Sequence, residues 1–167
     1  MAKQYITYTN TSKYYLAAYL KIKLISADGS QYSDGNQAFV YLKPGQSQRV
    51  WCQNLYDRPI AEVTPESAWI WYEYRPFSIA SEKQTIAENK LPVKITNKSV
   101  FNSGNVVVTA LLKKDGEIVW ATETDIFDQP PYEQLRPGKS ATLDLNLSNA
   151  PDFDDIEIQC GKSSGHQ

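Results

Sequence analysis

The chain has 167 residues with 17 basic and 19 acidic side chains, a formal charge of −2 and a pI near 5.4. That balance, with no Lys/Arg cluster longer than two residues, offers no long-range attraction for nucleic acid, which is excluded as an expected partner. No apolar run is long enough to span a bilayer, so no transmembrane segment is expected. Met1-Ala2-Lys3 begins no signal peptide, leaving a cytoplasmic protein or one whose targeting segment has been removed.

In chain order, the first segment is Ile6-Thr-Tyr-Thr-Asn10-Thr-Ser12, a short strand ending in an Asn-Thr-Ser turn. Leu20, Ile22 and Leu24 then alternate with Tyr19, Lys21 and Lys23, the period of a half-buried antiparallel strand. Asp28-Gly29 suits a tight hairpin, because glycine accepts positive φ without steric cost. Leu42-Lys-Pro44-Gly45-Gln-Ser47 reads as a type II turn, with Pro fixing φ and Gly supplying the positive angle. Gln48 to Cys52 follows as an alternating strand, and Trp69-Ile-Trp-Tyr-Glu-Tyr74 is read as the last strand of this half.

Ser78 to Asn89 has neither strong turns nor strong alternation and is read, within 77–89, as a linker with room for a short helix. Beyond it the signals recur. Val93-Lys-Ile-Thr-Asn97-Lys-Ser99, Asp115-Gly116 and Leu135-Arg-Pro137-Gly138-Lys-Ser140 repeat the earlier order, and Asn97 and Asp115 each follow their counterparts by 87 positions. The same offset sets Val107, Thr109 and Leu111 against Leu20, Ile22 and Leu24. Ile70 and Tyr72 are aligned with Ile156 and Ile158 in the final strands. An ordered set of turns repeated with loop-length variation is the mark of a duplicated unit. The expected fold is all-β: two tandem small immunoglobulin-like antiparallel β-sandwiches over 3–76 and 90–161, with a flexible tail at 162–167.

This order of Asn-x-Ser, Asp-Gly and Leu-x-Pro-Gly-x-Ser between alternating strands resembles the small immunoglobulin-like modules of bacterial envelope proteins, FxLYD-type domains among them. The resemblance covers most of both copies, although Lys23-Leu-Ile-Ser26 and Leu111-Leu-Lys-Lys114 stand where the Phe-x-Leu-Tyr-Asp string would lie. It implies a spacer, adhesion or sensor module, an extracellular or cell-envelope location, and no catalytic residues.

Residues capable of chemistry are sparse. The single histidine, His166, stands in a Ser/Gly tail that cannot position a general base. Cys52 and Cys160 fall at non-equivalent positions of the two copies and are expected to be reduced. With no Cys-x-x-Cys pair and no glycine-rich phosphate loop, zinc, nucleotides and other cofactors are not expected. Asp152, Asp154 and Asp155 form the best calcium candidate, against a solvated acidic turn as the simpler reading. Asn10, Asn97 and Asn146 each begin an N-glycosylation triplet, but the first two suit turn hydrogen bonding better.

The aromatic content, 11 Tyr and four Trp, is the more informative feature. Trp69 and Trp71 share one strand face with Glu73 while Ile70, Tyr72 and Tyr74 share the other, so both faces cannot serve one core. Three outcomes compete: packing under the linker or the second copy, a protein-binding patch, or a sugar-stacking platform. Trp51, Tyr56, Phe127 and Tyr132 complete the expected contact set, the last two in the loop 125–132. The expected function is therefore non-enzymatic: binding of a protein partner through exposed aromatics and loops, with carbohydrate binding by Trp/Tyr stacking as the alternative.

Overall fold

The computed structural model describes residues 4–33, 36–52, 54, 58–72, 78–103, 106–126 and 134–162. Its regular structure is all β, with every named pairing antiparallel. The chain divides into two compact units, Met1–Arg75 and Pro76–Gln167.

In the first unit, β1 (Tyr5–Thr9) pairs with β5 (Ser47–Trp51). The central strand β2 (Leu16–Ser26) is flanked on one side by β3 (Gln31–Tyr32) and β4 (Gln37–Leu42), which follow each other along the same edge. On its other side lies β6 (Ile60–Tyr72). Ala18, Leu20, Ile22 and Leu24 of β2 form one core with Val40, Leu42, Val50 and Cys52, and Ile6 and Tyr8 of β1 pack on it. Alternation along β2 thus brings the larger sheet against the β1–β5 pair.

The second unit repeats this plan. β8 (Lys90–Asn97) pairs with β11 (Ser140–Asn146), and β9 (Val106–Lys114) lies between β10 (Glu117–Asp125) and β12 (Asp155–Lys162). Leu91, Val93, Ile95, Leu143 and Leu145 are buried, as are Val106, Val108, Ala110 and Leu112. Among the described residues one strand has no counterpart in the first unit: β7 (Ile79–Lys83) pairs with the outer edge of β8. The stretch 77–89, expected to be a linker, therefore carries a strand of the second unit. Its hairpin turns through Glu88 and Asn89 at φ 50° and 59°, a pair of positive angles whose sequence signal is weak without glycine.

The repeated turns carry equivalent hydrogen bonds. Asn10 is buried and its Nδ2 donates to Tyr14 O at 2.7 Å and Leu42 O at 3.0 Å, while Oδ1 accepts the Ser12 N–H. Asn97 does the same with Phe101 O at 2.9 Å, Leu135 O at 2.7 Å and the Ser99 N–H. In both copies the glycine N–H of the Pro-Gly turn donates to that asparagine's carbonyl, from Gly45 and from Gly138. One buried amide thereby ties the end of the first strand to the Pro-Gly turn, satisfying backbone groups that lie outside any ladder.

The Asp-Gly pairs are less alike than their spacing. Asp115 and Gly116 both have positive φ, the two-residue type I′ hairpin. In the first copy only Gly29 does; its N–H donates to Ser26 O and the Ser26 N–H to Ser30 O, closing a three-residue loop. The extra residue corrects the expected alignment by one position. Val106, Val108, Ala110 and Leu112 are the structural partners of Ala18, Leu20, Ile22 and Leu24, rather than Val107, Thr109 and Leu111. The final strands shift further, because β6 begins at Ile60. Val63 stands opposite Leu24 as Ile156 stands opposite Leu112, so neither Ile70 nor Tyr72 is aligned as expected.

Candidate binding surface

The outward face of the larger sheet in the first unit is built by register. Tyr19 of β2 stands opposite Phe39 of β4 and Trp69 of β6; Ala17 stands opposite Tyr41 and Trp71. Tyr19, Tyr41 and Trp69 lie on the face away from Leu20 and Ile22. Trp69 is 70% exposed. Tyr19 is half-buried and its hydroxyl donates to Gln37 Oε1, while Tyr41 and Ala17 are buried. An exposed indole with a half-buried tyrosine beside it can stack on a planar or apolar group, with the Tyr19–Gln37 pair as a polar margin.

Trp51 is not part of this strip. It is half-buried on β5 opposite Tyr5, on the outward face of the smaller sheet, where the Arg49 guanidinium lies 5.9 Å from the Tyr5 ring centre. Two strands of different sheets carry Trp51 and Trp69 to opposite outer faces of one unit, which sequence proximity could not disclose. Glu73, Tyr56, Phe127 and Tyr132 lie outside the described residues, as does His166.

The acidic turn of the second unit is occupied with structural work. Asp152 Oδ2 is 2.9 Å from Lys114 Nζ, and Asp154 Oδ2 accepts the Asp115 N–H at 3.0 Å. The Lys114 ammonium holds the Asp152 carboxyl below its ordinary range. Asp155 is exposed at the start of β12. Among the described residues no three His, Cys, Asp or Glu side chains are placed to hold a metal ion. Nor do the thiols present a reactive centre. Burial pushes Cys52 up to about 12 and Cys160 up to about 11, so both stay protonated at neutral pH.

Sequence reasoning did not find a shallow groove of about 470 Å³ at the β7–β8 hairpin, lined in part by Lys83, Ile86, Leu91, Phe153 and Ile156. Lys83 Nζ donates to Ile156 O at 2.6 Å across its floor. The only signal available in the sequence was Ile86, an aliphatic residue in a stretch otherwise rich in polar side chains. Among the described residues no helix is long and apolar enough to cross a membrane. Compared with known proteins, the chain matches no family model and no curated sequence.

Proposed function

We propose that this chain is a non-enzymatic interaction module of a bacterial surface or envelope protein, made of two tandem immunoglobulin-like β-sandwiches, FxLYD-like in their turns. It docks a protein partner through the outward aromatic strip of the first unit. The observation that carries this reading is Trp69: a large apolar side chain left 70% exposed on β6, which pairs with β2 alone among the described residues, opposite Tyr19. Exposed aromatics of this kind anchor interfaces because they bury much area for little side-chain entropy.

Trp69→Ser tests it, since the side chain is outside the core and its loss leaves the fold intact. Partner capture by the wild-type protein that disappears with Trp69→Ser, at unchanged far-UV circular dichroism, supports docking through the strip. Equal capture by both proteins moves the interface elsewhere. Carbohydrate stacking is the second reading, favoured by the Tyr19–Trp69 row with its Gln37 margin. A polysaccharide that shifts tryptophan fluorescence in the wild type and not in Trp69→Ser would select it over protein docking.

A further inference from the structure

Three Asn-x-Ser triplets occur in the chain, and the strand leading into each decides what it can do. Alternation along β1 turns Ile6 and Tyr8 to the core, so Asn10 follows them inward; Val93 and Ile95 of β8 do the same for Asn97. Both asparagines are 0% exposed, and each Nδ2 is engaged by two backbone carbonyls. An enzyme cannot reach either amide without undoing the turn that it ties.

Asn146 falls on the other half of the period. Along β11 the buried set is Ala141, Leu143 and Leu145, continued by Leu147, so Asp144 and Asn146 both point outward and Asn146 is exposed. Ser148, exposed on the turn that follows, folds back on the asparagine: its N–H and hydroxyl donate to Asn146 Oδ1 at 2.9 and 2.7 Å. These bonds engage the carbonyl half of the amide, and among the described residues none engages Nδ2. Asn146 is also the last residue of β11, opposite Lys90, and β11 is an edge of its sheet among the described residues. The end of an edge strand leaves its ladder at a cost far below that of global unfolding, which lets an enzyme draw out the triplet.

Asn-x-Ser with x other than proline is the general acceptor for N-linked glycan transfer, and a glycan needs a solvent-facing amide nitrogen. Only the third triplet combines the two. It is also the only one with a charge two residues ahead on the same face: Asp144, where Asn10 and Asn97 are preceded by Tyr8 and Ile95. The Asp144 carboxylate lies 4.0 Å from Lys90 Nζ in a surface pair that costs little to give up, so a cationic group of a transferase can take it over.

We propose that Asn146 is an acceptor for an N-linked glycan, with Asp144 and Ser148 as the side chains by which a transferase recognises it. In the reaction Nδ2 attacks the anomeric carbon of an oligosaccharide carried on a polyprenyl diphosphate. The Nδ2–C1 bond forms, the C1–O bond to phosphate breaks, the lipid diphosphate leaves, and the proton lost from Nδ2 passes to a base of the transferase. This goes beyond the aromatic strip; it rests on the envelope location in the proposed function, since such lipid-linked donors are used outside the cytoplasm, and not on Trp69.

The purified full chain, incubated with a bacterial oligosaccharyltransferase and its polyprenyl-diphosphate oligosaccharide, tests it. Mass spectrometry should show one glycan per chain, mapped to Asn146. Asn146→Gln and Ser148→Ala each abolish the mass shift, and Asp144→Asn slows modification at least about tenfold, the loss of one charge-assisted contact. All three are surface changes, and melting curves close to wild type show that they fold. A folded protein that stays unmodified overturns the proposal, whether or not a peptide of residues 142–150 is modified. So does glycan on Asn10 or Asn97, or a rate indifferent to Asp144→Asn. The assay uses no cell, so its failure is a failure of the acceptor and not of the envelope location, and Trp69→Ser should be modified as fast as wild type.

Discussion

Asn97→Ala removes a side chain that is 0% exposed and makes three hydrogen bonds to backbone. The Phe101 carbonyl loses the Asn97 donor and the Ser99 N–H loses its acceptor, while the Leu135 carbonyl keeps the Ser103 N–H. A buried polar group left unsatisfied costs about 1–3 kcal/mol. Partial relaxation and water entry will keep the total below the sum, so about 3 kcal/mol is expected. For a unit of this size that corresponds to a fall in melting temperature of about 12 °C or more. Asn97→Asp should be at least as damaging at neutral pH, because an anionic oxygen then faces two carbonyls. Asn146→Ala is the internal control. Its Oδ1 also accepts two bonds, from Ser148 N and Oγ, but on an exposed turn, where a change within about 0.5 kcal/mol is expected. Calorimetry of the three variants supplies the comparison. If Asn97→Ala melts within a degree or two of Asn146→Ala, the buried amide is not what ties the turn to the strand.

Three further outcomes can be measured. The Ser26 hydroxyl and Ser30 N–H donate to Asp28 and hold its carboxyl at about 2, against 3.8 ordinarily. Its folded value is the depressed one, so its contribution is present above pH 4 and lost as pH falls towards 2; Asp28→Ala should flatten acid unfolding in that window. Gly138→Ala should cost about 1–2 kcal/mol in urea titration, since its φ of 74° disfavours a side chain while nothing lies within 4 Å of an added Cβ; a neutral result would mean the turn relaxes. Cys52 and Cys160 should react with a disulfide reagent at pH 8 far more slowly in the folded protein than in urea, and equal rates would show that neither thiol is protected.

The turns were legible because each rests on a local demand for φ. Pro44-Gly45 and Pro137-Gly138 close hydrogen bonds from Gln46 N to Lys43 O and from Lys139 N to Arg136 O, and no distant residue is needed to explain them. β7 was not legible. Ile79-Ala-Ser-Glu-Lys83 has a single strong β-former, and it is a strand because β8 supplies the ladder. Pro65 and the register shift near Lys21/Ile22 similarly hid the first half of β6, since proline in a strand is accommodated at an edge.

The candidate surface divides along the same line. That Trp69 and Ile70 take opposite faces follows from the two-residue period and was available from the sequence. That both are exposed was not, because exposure depends on which strands lie opposite, and Ile70 belongs to a core side left uncovered.

The sequence by itself determined a duplicated all-β chain, the position of its turns, and the alternation of each strand. Only the tertiary structure decided which alternate set is inside and which edge is covered. One added residue in the Asp28 hairpin moved the match from Leu111 to Leu112, because a one-residue slip exchanges the two faces of a strand. Turn geometry is set by neighbours in sequence, whereas burial and pairing are set by neighbours in space.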